Sequence, residues 1–171
     1  MKVIRNILLI ALALLVQSTL FGKLDLYGVR PDIPLIMLII LAGVASPTGL
    51  IYYGFFIGFL QDVYSPEYLG YNAFAMSLTA FFLEVVKERL TVENYTVRLI
   101  MTLLACTFHD SVYLLLYTAF DLSVLAPLFV RESLPGAAYT AVLAMILVMI
   151  WQWAQSGGLF GVLRELMGNG R

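Results

Sequence analysis

The sequence is short of charge and of the side chains that most protein chemistry needs. Asp, Glu, Lys and Arg make up 12% of it, about half their share in an ordinary soluble domain. The single cysteine, Cys106, excludes an internal disulfide and a cysteine-built metal site, and reads as a small core residue. The single histidine, His109, leaves no His and Cys cluster with metal spacing. Lys and Arg are scattered singly, and the net charge of −1 carries no basic footprint for nucleic acid. No Gly-rich phosphate loop and no nucleophile in its usual local context is found. The chain therefore reads as a non-enzyme with no cofactor and no metal.

Apolar residues are what the chain has in quantity. They form 61% of its 171 residues, and the mean hydropathy is +0.92. One small globule cannot hide that much apolar surface, so a bilayer is the expected solvent. Apolar runs fall at about 3–21, 33–45, 48–63, 70–86, 96–118 and 134–153. Strand-like alternation is missing, and lipid forbids unpaired backbone, so the runs predict helices. The first run follows Met1-Lys2 and Arg5 but lacks a small-x-small cleavage site, and reads as a retained span.

The second and third runs together hold about thirty residues, which as one helix would be roughly 45 Å long against a hydrocarbon core of about 30 Å. Gly43, Pro47 and Gly49 sit at the middle, where Pro47 would remove a backbone hydrogen bond and clash with the preceding turn. Two short helices joined at Ala45-Ser46-Pro47-Thr48 are predicted. With six spans and both termini cytoplasmic, seven of the ten Lys and Arg (Lys2, Arg5, Lys87, Arg89, Arg98, Arg164 and Arg171) fall inside. Lys23, Arg30 and Arg131 fall outside, as the positive-inside rule requires. Five spans with the N-terminus outside gives the same count; the charges directly before the first run favour six. Tyr64, Tyr68 and Tyr71 mark one interface, and Trp151 and Trp153 the other. The tail LFGVLRELMGNGR has the pattern of a short surface helix. The expectation is one transmembrane domain over 1–171, an all-α compact bundle with no soluble domain and no long loop.

Three groups of residues stand out. Gly54, Gly58 and Asp62 are spaced by four in GFFIGFLQD, on one helical face. Gly-xxx-Gly lets another helix approach closely, within the bundle or from a partner. Asp62 at the end of that stripe calls for a cation or several donors; Arg30, in Arg30-Pro31-Asp32 at the start of the second run, is the nearest candidate in sequence. His109-Asp110 is an ionisable pair inside the fifth run: a satisfied structural pair, a polar contact to another helix, or part of a proton or ion path. Glu84, three residues before Lys87, reads as part of a solvated helix end.

Across VRPDIPLIMLIILA and GLIYYGFFIGFLQDVYSPEYLGYNAFAMSL, about residues 29 to 78, the sequence resembles the MreD family of rod shape-determining proteins. The matching positions are Arg30, Pro31 and Asp32, then Gly54, Gly58 and Asp62, then Ser65, Pro66, Leu69 and Gly70. Pro66-Glu67-Tyr68 departs from the family's often Gly-rich turn, and His109 and Asp110 lie outside the resemblance. The likeness implies an inner-membrane protein of six transmembrane helices, similar in fold to S components of vitamin transporters. It also implies MreC as partner and, through MreC, coupling of MreB filaments to the RodA glycosyltransferase and its transpeptidase partner. An S component that binds a small vitamin-like ligand and docks on an ATPase is the alternative. Its small-xxx-small docking surface is missing from the first run, where Leu15 follows Ala11 and Gln17 follows Ala13.

Overall fold

The computed structural model describes residues 29–87 and 95–155. The first predicted span with Lys2, Arg5 and Lys23, the positions Arg89, Arg164 and Arg171, the C-terminal tail and the side chains of Trp151 and Trp153 lie outside the described residues.

Six α-helical segments are present among the described residues: α1 (Ile33–Ala42), α2 (Pro47–Asp62), α3 (Tyr71–Lys87), α4 (Tyr95–Tyr117), α5 (Leu122–Leu128) and α6 (Leu134–Gln155). Local chemistry sets their ends. Asp32 caps α1 by accepting the Leu35 N–H at 2.9 Å. Ser46 does the same for α2, accepting from Gly49 N at 3.2 Å, with Pro47 in the first turn. Both caps fill amides that the first turn cannot satisfy internally. The chain breaks between α1 and α2 at Gly43–Ser46, where three turn hydrogen bonds fold back on Ile40 and Leu41.

Residues 119–133, which the hydropathy left between two runs, are mostly helical. Ala119 and Phe120 take φ of +49° and +66°, a left-handed step that L-residues rarely adopt and that ends α4. Asp121 then caps α5, accepting from Ser123 N at 2.9 Å and Ser123 Oγ at 2.6 Å. These two donors hold the Asp121 carboxyl below its ordinary range. α5 runs into α6 through a π-helical turn, Phe129–Ser133.

In the packing order, α1 touches α2, α3 and α6; α3 lies between α2 and α4; and α4 lies against α6. The core is built from Leu35, Leu38, Leu41, Leu50, Ile57, Met76 and Leu83. Small residues line the seams: Ala137, Ala141 and Ala144 are buried along α6, at spacings that fall on one helical stripe. The outside is apolar, with Tyr52, Phe55, Phe56 and Phe59 of α2, Phe74 and Phe81 of α3, and Ile146 and Ile150 of α6 exposed. Water would not tolerate that exterior, whereas lipid tails match it. By length and composition, Thr96–Tyr117 is a helix able to cross a membrane, and Ile33–Ala42 is a shorter apolar one.

Candidate functional site

The glycine stripe of α2 lies on α3. A Cβ at Gly54 would come to 2.6 Å from the Met76 carbonyl oxygen and 3.2 Å from the Ala80 Cβ; one at Gly58 would collide with the Asn72 carbonyl and lie 2.6 Å from Ala73 N. Only hydrogen fits at either place, so the two helix backbones meet directly. The sequence left open which helix comes close. The face is a helix-packing surface, but its occupant is α3 of the same chain, and no room remains there for a partner's helix.

Asp62, 0% exposed, closes the seam at the C-terminal end of α2. Its Oδ2 accepts from Gly70 N at 2.9 Å and Ala73 N at 3.0 Å; its Oδ1 accepts from Asn72 N and Asn72 Nδ2, both at 3.0 Å. Asn72 and Ala73 are the second and third residues of α3. Gly70, which has φ of +98° and no side chain, precedes them. A carboxylate from the last residue of α2 thus supplies the cap that α3 cannot supply itself, and places negative charge at the positive end of a helix. The donors that satisfy Asp62 are those of α3, where the sequence reading placed Arg30. Arg30 instead lines a cavity beside α1 and α6.

Asp32 is tied down twice. Its side chain caps α1, and its backbone N–H donates to Thr140 Oγ1 of α6 at 3.0 Å, across 108 residues of sequence. Gln61 lies against its carboxyl. On α4, His109 Nδ1 meets Asp110 Oδ1 at 3.1 Å. His109 is 3% exposed, and its Nε2 has no hydrogen-bond partner. Asp110 faces the cavity with Arg30, Asp32, Tyr113, Glu132, Ser133 and Thr140. These groups meet because α1, α3 and α6 begin, and α2 and α4 end, at the same end of the bundle. A layer of tyrosines lies there too: Tyr68 approaches Tyr117 at 5.0 Å between ring centres and Tyr71 at 5.8 Å, while Tyr113 stacks on both His109 and Tyr117. The Tyr117 hydroxyl pushes the Tyr68 phenol above its ordinary value.

At the opposite end, Lys87 Nζ donates to the Ala42 carbonyl at 2.9 Å and to Glu84 Oε1 at 3.0 Å. Lys87 thereby fills an unpaired carbonyl at the end of α1. Glu84 is 7% exposed, which corrects its reading as a solvated helix end.

Sequence reasoning found Asp62 and the glycines but missed Asn72, Thr140 and Glu132. A signal existed for two of them. Asn72 follows Gly70 at a helix start, and Thr140 interrupts the small-residue stripe of α6. These groups come from separate helices, so no local pattern in the sequence joins them. Among the described residues no group of three or more His, Cys, Asp and Glu has the geometry to hold a metal ion.

Comparison with curated proteins and with solved structures gave no match. The sequence profile of the rod shape-determining protein MreD matches residues 2–153, well beyond the stretch around α1 to α3 that carries the recognisable motif. The chain belongs to the MreD family of rod shape-determining membrane proteins.

Proposed function

We infer that this chain is a non-catalytic scaffold of the bacterial elongation machinery. In this reading it is a six-span inner-membrane protein with both termini cytoplasmic. It binds MreC and so helps couple MreB filaments to peptidoglycan synthesis by RodA and its transpeptidase partner. The observation that carries the reading is the family match over residues 2–153. The apolar exterior of α2, α3 and α6 supports the membrane placement in this reading, because lipid tails match such a surface. Since α3 fills the glycine face of α2, MreC binds elsewhere on the bundle.

The test is affinity capture of the tagged chain from native membranes in mild detergent, together with depletion of the chain from growing cells. Recovery of MreC and loss of rod shape on depletion are expected. An ATPase module recovered in place of MreC, with shape unchanged on depletion, would overturn the scaffold reading in favour of a transporter component.

A further inference from the structure

The scaffold role makes no use of the cavity at the Asp32 end of the bundle, which has a volume of about 360 Å³. Its polar lining comes from Arg30, Asp32, Asp110, Glu132 and Thr140, and its apolar walls from Leu35 and Leu114. Pockets of this size, apolar with a few convergent polar groups, are where proteins hold small molecules. Asp32 and Asp110, with Glu132 at the exposed rim, outnumber the Arg30 guanidinium, so an occupant with positive charge is favoured.

Asp110 is the centre of the argument. It lies on a helix long and apolar enough to cross a membrane, where an ionisable side chain marks function by default. Its side chain is 27% exposed and lines the cavity. Oδ1 is held by His109 Nδ1; no hydrogen bond to Oδ2 is found among the described residues. His109 behind it is buried with Nε2 unpartnered, an arrangement that costs stability and that packing alone does not call for. Asp32 is fixed in place by Leu35 and Thr140. Glu132 and Ser133 are delivered by the π-helical turn Phe129–Ser133, a rare geometry that recurs at functional sites. Among the described residues these carboxylates do not converge as a metal-ligating set, and separate acceptors suit a cation that brings its own N–H donors.

We propose that this cavity binds a primary ammonium group, carried by a small free amine or by the headgroup of an aminophospholipid. Asp110 accepts its N–H groups, and Asp32 and Glu132 complete the negative field. His109 is a positioning residue that fixes the Asp110 rotamer. This goes beyond the scaffold role and stands or falls separately from MreC binding.

The test uses the full chain in lipid nanodiscs. In one arm, phosphatidylcholine discs are titrated with ethanolamine and with 1,4-diaminobutane, choline serving as a control that lacks N–H donors. In the other, discs of phosphatidylethanolamine and of phosphatidylcholine are compared by native mass spectrometry for retained lipid. Saturable amine binding in the first arm assigns a free amine; selective retention of phosphatidylethanolamine in the second assigns a headgroup. Asp110→Asn is expected to weaken whichever binding is found by about tenfold or more, as loss of a charged hydrogen bond requires. The exposed variant Glu132→Gln, which removes no packing, is expected to weaken it by about threefold, and decides the matter where Asp110→Asn fails to fold. Absence of amine binding and of headgroup selectivity, or binding that Glu132→Gln and a folded Asp110→Asn both leave unchanged, overturns the proposal.

Discussion

Asp62 and Asn72 meet twice: the backbone N–H and the side-chain amide of Asn72 both donate to Asp62 Oδ1 at 3.0 Å. With Gly70 and Ala73 on the other oxygen, one carboxylate joins the end of α2 to the first turn of α3. The charge sits in a fully buried place and is held by donors alone, the condition under which a buried carboxylate is tolerated.

Replacing Asp62 by Ala leaves three backbone N–H groups and an amide without their acceptor, and roughly 3 kcal/mol or more of stability is expected to go with them. Asp62→Asn keeps one acceptor oxygen and turns an NH₂ toward donors, so a loss of about 2 kcal/mol is expected. Equilibrium unfolding of the purified protein in detergent checks both. Equal stability of wild type and Asp62→Ala would show that the cap does not hold the two helices together.

Gly58→Ala puts a methyl group into the Asn72 backbone, and α2 must move away from α3. Overpacking of this kind costs about 1–3 kcal/mol. Gly43→Ala, whose added carbon would meet only the Ile40 carbonyl at 3.4 Å, serves as the tolerant comparison. Thermal midpoints of the two variants in the same detergent should separate, with Gly58→Ala lower.

Thr140→Val removes the acceptor of the Asp32 N–H while keeping the side chain's shape. A loss of about 1–2 kcal/mol is expected for a donor left without its partner in a part-buried place. Amide exchange adds a local readout, with faster exchange at Asp32 as the expected result and an unchanged rate as the contrary one.

Lys87→Met strands the buried Glu84 carboxylate and frees the Ala42 carbonyl. Because the Lys87 side chain is itself 34% exposed, the cost is reduced by solvent screening to roughly 1–2 kcal/mol. Adding Glu84→Gln should recover part of it, since the stranded charge is then gone. A double-mutant cycle showing no coupling would mean that the pair contributes nothing.

Some of this was written in the local sequence. The break near Pro47 and the helical face shared by Gly54, Gly58 and Asp62 each depend on residues within one or two turns of each other, so spacing and side-chain chemistry sufficed. Helices α1, α2, α3, α4 and α6 fall on apolar runs, where a chain in lipid must satisfy its own backbone. The helical stretch after Asp121 was missed, since it falls between the fifth and sixth apolar runs and its α-helix has only 7 residues.

What only the tertiary structure decided was the identity of the neighbours. A helical stripe states that something comes close, but not what; α3 and no other element turned out to fill it. Asp62 needed donors, and the sequence could rank candidates only by nearness along the chain, which pointed to Arg30. In the folded protein the nearest donors are the amides that begin α3, because antiparallel α2 and α3 bring one helix end beside the other's start. Asp32 and Thr140, 108 residues apart, meet because α1 and α6 begin at the same end of the bundle. The carboxylates around the cavity gather there too, Asp32 and Glu132 just before α1 and α6 and Asp110 two turns from the end of α4. Pairing of this kind is a property of how helices pack, and packing depends on the whole set of faces at once.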